Sequence, residues 1–142
     1  MSLFTDMTAL NAAALYIGLL ILVMFGLKIY VGASRSSLKV ASGDLSQPAF
    51  NKATRVQLNA VEDVPALMVG ILALALLAMP VWYIHATGGA LVVFRLAHAF
   101  GLATQKEGKA SPGRAIGAIG TTLVFLAVAG GLLVHVFTPT HG

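Results

Sequence analysis

The sequence contains no cysteine, which excludes disulfides, thiolate metal sites and a cysteine nucleophile. Any thiol chemistry must therefore come from a bound ligand. Charge is also scarce, because only 10% of the 142 residues are charged whereas 58% are hydrophobic. Soluble domains carry roughly 25% charged residues. This composition excludes an ordinary soluble domain and indicates a membrane protein.

Four apolar segments are long enough to cross a bilayer, which takes about 20 residues of helix. They cover about 8–31, 48–79, 81–104 and 114–137, with Gly32 placed as the stop of the first. We therefore predict an all-α membrane protein, a four-transmembrane-helix up-down bundle that forms a single domain over 1–142. Glycine is frequent in the last segment and directly before it, at Gly113, Gly117, Gly120, Gly130 and Gly131, and it permits close approach of helices.

The basic residues cluster at two of the three connections between these segments. The first connection is surrounded by Lys28, Arg35, Lys39 and Lys52, and the third by Lys106, Lys109 and Arg114. The positive-inside rule places connections one and three in the cytoplasm and both termini outside. The net charge of +4 is thereby explained by topology, and no nucleic-acid partner is predicted. We expect a bacterial inner membrane as the location.

Polar side chains on the second segment form a stripe, Arg55, Asn59 and Glu62. Their i, i+4, i+7 spacing places them on one helix face. Ionisable groups in a membrane helix are costly and face a partner, a cavity or a ligand. The stripe therefore predicts either a ligand site or a polar network that fixes helix packing.

The third segment carries Arg95 and His98 at a depth comparable with that of the stripe. We predict a structural ion pair between Arg95 and Glu62, and we expect Asp63, which faces away from Glu62, to meet a neighbouring helix or subunit. His98 is either a ligand contact or a buried histidine of the bundle. No metal site is predicted, because His85 and His135 near the other membrane face have no third ligand beside them.

Several motifs together resemble the family of membrane-associated proteins in eicosanoid and glutathione metabolism, the MAPEG family. The motifs are Pro48-Ala49-Phe50, Arg55-Val56-Gln57-Leu58-Asn59 with Glu62 and Pro65, Arg95-Leu96-Ala97-His98, and Pro112-Gly113-Arg114. Within the family they are similar to the leukotriene C synthase and prostaglandin E synthase branches. The resemblance implies a homotrimer in the membrane lipid, with glutathione as cosubstrate between subunits near the cytoplasmic face.

The resemblance also implies roles for single residues. The carboxylates and amino group of glutathione would be held by Arg55, Gln57, Asn59 and Glu62, with further contacts from Arg35 and His98. Arg114 would be the catalytic residue that faces the thiol. The implied activity is that of a glutathione transferase or peroxidase, which detoxifies lipophilic electrophiles or lipid hydroperoxides.

Three positions depart from the family pattern, namely Leu58, Leu102 and Ala115. These differences leave open a non-catalytic lipid-binding or scaffold protein of the same fold. A small multidrug exporter is a third alternative, which would need an acidic residue inside a substrate-lined membrane helix. The first segment has no carboxylate, so we rank the exporter last.

Overall fold

The computed structural model describes residues 8–41, 44–106 and 108–138. Four helices make up this part of the chain: α1 (Ala9–Leu38), α2 (Pro48–Leu76), α3 (Val81–Ala103) and α4 (Pro112–Phe137). Each is long and apolar enough to cross a membrane, and no strand occurs in the described ranges. The predicted four-helix membrane fold is confirmed.

Helix α1 continues beyond its predicted end. It runs to Leu38, and Lys39 closes it in the left-handed conformation with φ 51°. Gly32 therefore does not end the helix, since the backbone keeps helical geometry through it and the hydroxyl of Ser34 donates to the carbonyl of Tyr30 at 2.8 Å. As a result Arg35 lies in the last turn of α1.

The other helix ends differ from the predicted ones by three residues at most. Helix α2 ends at Leu76 rather than 79, because Ala78 turns the chain with φ 54°. Helix α4 begins at Pro112, two residues early, because Ser111 provides the N-cap. In the connection before α2, hydrogen bonds from the side chain and backbone of Ser46 hold the pKa of Asp44 below its usual value.

Helices α3 and α4 approach each other closely through glycine. A Cβ at Gly117 would lie 2.5 Å from the backbone nitrogen of His98, and one at Gly101 would meet the backbone nitrogen of Arg114. The predicted close approach is confirmed at Gly117, whereas a Cβ at Gly130 would have no neighbour within 4 Å. Small interface residues favour such packing in lipid, where helices associate through van der Waals contact.

Candidate functional site

A cleft of about 310 Å³ opens at the end of the bundle where α2 and α4 begin and α3 ends. We call it the basic cleft, because four of its lining residues are cationic: Lys52, Arg55, Lys106 and Arg114. The others are Pro48, Asn51, Leu102, Gln105 and Gly108. None of the described residues that line the cleft is a carboxylate. The arrangement is suited to binding an anion.

Lys52 and Arg55 come to the cleft because they lie three residues apart on the first turns of α2. The Nζ atom of Lys52 donates to the carbonyl oxygens of Gln105 at 2.8 Å and Ala103 at 3.4 Å. A cation at these carbonyls satisfies acceptors that the helix end leaves free and interacts favourably with the helix dipole. Lys52 therefore holds α2 to the end of α3 and forms a wall of the cleft.

Arg114 enters the cleft from the first turn of α4. Its backbone N–H lies 3.4 Å from the hydroxyl of Ser111, the N-cap residue. One guanidinium nitrogen lies 3.4 Å from the amide oxygen of Gln105, and the side chain is exposed. The helix N-terminus contributes partial positive charge beside the guanidinium group. Both features favour an anionic group bound near Arg114.

The polar stripe of α2 is only partly directed at the cleft. Arg55 lines it, whereas Asn59 and Glu62 do not. The side-chain amide of Asn59 donates to the carbonyl of Arg55 at 2.7 Å. Glu62 is exposed on the same face. The stripe thus points outward from its own bundle, on a helix that is apolar enough to span a membrane.

The ion pair of Arg95 differs from the predicted one. A guanidinium nitrogen of Arg95 donates to a carboxylate oxygen of Asp63 at 2.8 Å, so the predicted Arg95–Glu62 pair is wrong. Successive helical residues are rotated by about 100°, and the flanking core residues Ala60 and Val64 bring Asp63 to the core side. Arg95 is only 2% exposed, whereas the Asp63 side chain is 37% exposed.

Two further predicted ligand residues lie away from the basic cleft. Gln57 lines a second groove of about 350 Å³ between α1 and α2, together with Lys28. Arg35 is exposed and its guanidinium carbon lies 5.6 Å from the centre of the Phe50 ring. Gln57 is rotated by about 200° from Arg55 around α2. The two side chains therefore face different sides of this bundle.

His98 is buried between α3 and α4, with 5% of its surface exposed. Its Nδ1 atom has no hydrogen-bond partner in the part of the chain that the structure describes. The charges of Arg95, Arg114 and Asp63 are close enough to act on the ring electrostatically. Leu102, which lies one turn nearer the end of α3, lines the cleft, whereas His98 does not. The structure thus places His98 behind the cleft wall.

Across 8–41, 44–106 and 108–138, no group of three or more histidine, aspartate and glutamate side chains is arranged to hold a metal ion. His85 instead contacts Tyr16, whose hydroxyl lies 2.9 Å from the histidine Nδ1. His85 lies in the first turns of α3, and this contact joins that end of α3 to α1.

The sequence did not predict that Lys52 and Lys106 line the cleft, because their charges were explained by membrane topology. The i, i+3 spacing of Lys52 and Arg55 is the signal that could have revealed one of them. Lys106 lies in a connection, and its position depends on how the end of α3 meets the start of α4. No spacing rule predicts that geometry.

Comparison with known proteins gives one family. No curated protein and no solved structure shows a significant match to the chain. The model of the MAPEG family matches residues 13–134, which include all four helices almost in full. This integral multi-pass membrane protein therefore belongs to the MAPEG family.

Proposed function

We propose that the protein is a membrane-bound glutathione-dependent transferase or peroxidase that acts on lipophilic electrophiles or lipid hydroperoxides. Members of the MAPEG family are glutathione-dependent transferases and synthases, which supports this class of activity. The observation that carries the proposal is the convergence of Arg55 and Arg114 on one cleft, together with Lys52 and Lys106. The cleft volume of about 310 Å³ lies within the range of small-molecule sites.

Glutathione offers the groups that such a cleft would recognise. It has two carboxylates, one ammonium group and one thiol, and guanidinium groups bind carboxylates through paired hydrogen bonds. Arg55 and Lys52 would bind a carboxylate at the start of α2. Glu62, exposed and farther along the same face, would bind the ammonium group, and Asn59 would donate to the peptide. The ligand would then extend along the stripe.

Arg114 would activate the thiol. A free thiol has a pKa of about 8.5, and a neighbouring cation increases the thiolate fraction at neutral pH. In a transfer reaction the thiolate sulfur forms a bond to the electrophilic carbon, and the leaving group departs with the electron pair. With a hydroperoxide, the sulfur attacks the terminal oxygen and releases an alcohol, and a second glutathione then gives the disulfide and water.

A homotrimer would complete this site. Arg55 and Glu62 are exposed on a helix of membrane-spanning length, where contact with lipid is costly. Gln57 faces another side of α2 and could reach the same ligand only from a second copy. Arg35 and His98 would then be the additional contacts that the family resemblance implies. If the purified protein had an oligomeric mass other than that of a trimer, this arrangement would be contradicted.

The proposed orientation places the basic cleft at the cytoplasmic face, with connections one and three inside and both termini outside. The basic residues at these connections support it through the positive-inside rule. We propose a bacterial inner membrane as the location. The lipophilic substrate would reach the cleft from the lipid, whereas glutathione would reach it from the aqueous side.

A non-catalytic lipid-binding protein is the second candidate. It is favoured by an apolar groove of about 350 Å³ between α1 and α3 and by the departures at Leu102 and Ala115 from the family pattern. Such a protein would bind lipid without producing a glutathione thiolate. A measurement of glutathione binding alone therefore does not separate the two candidates. The formation of the glutathione thiolate must be measured as well.

Calorimetry with purified protein in detergent tests the binding step. Arg55→Ala should weaken glutathione binding by about tenfold or more, because the loss of a charge-assisted hydrogen bond costs about 1.5–3 kcal/mol. Lys109→Ala is the matched control, since Lys109 is an exposed cation that does not line the cleft. No binding to the wild-type protein at millimolar glutathione would refute the proposal.

A further inference from the structure

Gln105 connects two of the four cations of the basic cleft. It lies two residues beyond the end of α3, is half-buried and lines the cleft. Its backbone carbonyl accepts from the Nζ atom of Lys52 at 2.8 Å, and its side-chain amide oxygen lies 3.4 Å from a guanidinium nitrogen of Arg114. The first contact belongs to the backbone and the second to the side chain. A substitution of Gln105 therefore removes the contact with Arg114 and keeps the one with Lys52.

The orientation of the Gln105 side chain is fixed by the connection between α3 and α4. Its amide nitrogen donates to the carbonyl of Lys109 at 2.8 Å, and the backbone N–H of Lys109 donates to the carbonyl of Lys106 at 3.2 Å. Because a carbonyl can only accept, the amide nitrogen must face Lys109. The amide oxygen then faces Arg114, whose guanidinium group can only donate. Each end of the amide thus meets a partner of the required chemistry.

Arg114 depends on this contact for its direction. Its side chain is exposed, and its guanidinium group has one hydrogen-bond partner among the described residues, the amide oxygen of Gln105. A long exposed side chain without such a contact samples many conformations, and ordering it when a ligand binds costs entropy. A partner that orders the side chain beforehand reduces this cost.

The partner of Arg114 is neutral, in contrast to that of Arg95. Arg95 is paired with the carboxylate of Asp63, which compensates its charge. The amide oxygen of Gln105 accepts a hydrogen bond without adding a negative charge, so the charge of Arg114 remains available to an anion. At 3.4 Å the contact is also longer than most N–H···O hydrogen bonds. It therefore directs the guanidinium group without holding it tightly.

We propose that Gln105 is a positioning residue, which directs the guanidinium group of Arg114 toward the bound thiol and leaves its charge uncompensated. This inference rests on the proposed function and adds to it a residue that controls the reactivity of the same site. Gln105 acts through Arg114 and does not itself touch the reacting atoms. Its substitution should therefore affect the thiol only while Arg114 is present.

A double-mutant cycle of Gln105 and Arg114 tests the proposal, with the pH midpoint of thiolate formation in bound glutathione as the readout. Gln105→Met keeps the length of the side chain and removes the amide. It should raise the midpoint by at least about 0.3 pH unit, a twofold loss of thiolate and the lower limit for side chains in contact. In protein that already carries Arg114→Ala, the same substitution should leave the midpoint unchanged.

Gln105→Glu tests whether the neutral partner matters. A carboxylate beside Arg114 would compensate the guanidinium charge, so the midpoint should rise by about one pH unit or more. Gln47→Glu is the matched control, because Gln47 is exposed, directly precedes α2 and does not line the cleft. It should leave the midpoint unchanged. Equal shifts in the two glutamate variants would overturn the proposal, since any added negative charge would then suffice.

The midpoints are measured at saturating glutathione, so that changes in affinity do not affect them. Thermal unfolding shows whether each variant is folded, and Gln105→Asn, whose amide is one methylene shorter, takes the place of Gln105→Met if that variant does not fold. An unchanged midpoint in the single variant, or equal shifts with and without Arg114, would overturn the positioning role alone. Absence of a thiolate in the wild-type protein would overturn the proposed function as well.

Discussion

Asp63→Asn should destabilise the protein because it removes the charge that Arg95 faces. Arg95 is 2% exposed and lies in a helix of membrane-spanning length, so its guanidinium group would remain buried without a counterion. Breaking a buried ion pair costs about 3–5 kcal/mol. The Asp63 side chain is 37% exposed, so we expect the lower end of this range, about 3 kcal/mol. The unfolding equilibrium should shift by more than about a hundredfold.

Equilibrium unfolding in mixed micelles, followed by circular dichroism, measures this free energy. Glu62→Gln is the matched control, because Glu62 is the adjacent carboxylate, is exposed and makes no ion pair among the described residues. It should change the free energy of unfolding by less than about 0.5 kcal/mol. Replacing both Asp63 and Arg95 by apolar residues should restore most of the loss. Equal losses in the free energy of unfolding in Asp63→Asn and Glu62→Gln would refute the ion-pair assignment.

Two further predictions concern the packing of the helices. Gly117→Ala should lower the midpoint of thermal unfolding, because its Cβ would lie 2.5 Å from the backbone nitrogen of His98, whereas Gly130→Ala should not lower it. Lys52→Met should remove the 2.8 Å bond to the carbonyl of Gln105 and cost about 1.5–3 kcal/mol, the value of a hydrogen bond to a charged group. Faster amide exchange confined to the last turn of α3 would identify that local loss, and unchanged exchange would contradict it.

The fold was predictable because each helix corresponds to a long apolar run in the sequence. A run of about 20 apolar residues can satisfy its backbone in lipid only as a helix, and Pro48 and Pro112 mark two starts. The end of α1 was not predictable, because it depends on Lys39 adopting a left-handed conformation that most residues avoid. Glycine was the expected stop, and Gly32 stayed helical.

The candidate site was predictable only in part. The spacing of Arg55, Asn59 and Glu62 defines one helix face whatever surrounds it. The partner of Arg95 depends on the rotation of α2 against α3, and a difference of one residue separates Asp63 from Glu62. The position of Lys52 in the cleft wall depends on where α3 ends, because its Nζ atom donates to the carbonyl of Ala103. Positions along one helix can be inferred from spacing, whereas contacts between helices need the packed structure.

The ultraviolet difference spectrum of bound glutathione, recorded as a function of pH, tests the central claim most directly. A neighbouring cation lowers the pKa of an acidic group by about one to three units, so the thiolate should form with a midpoint well below the free value of about 8.5. Arg114→Ala should return the midpoint toward 8.5 while glutathione still binds. Absence of a thiolate signal in the wild-type protein, or an unchanged midpoint in Arg114→Ala, would contradict the account.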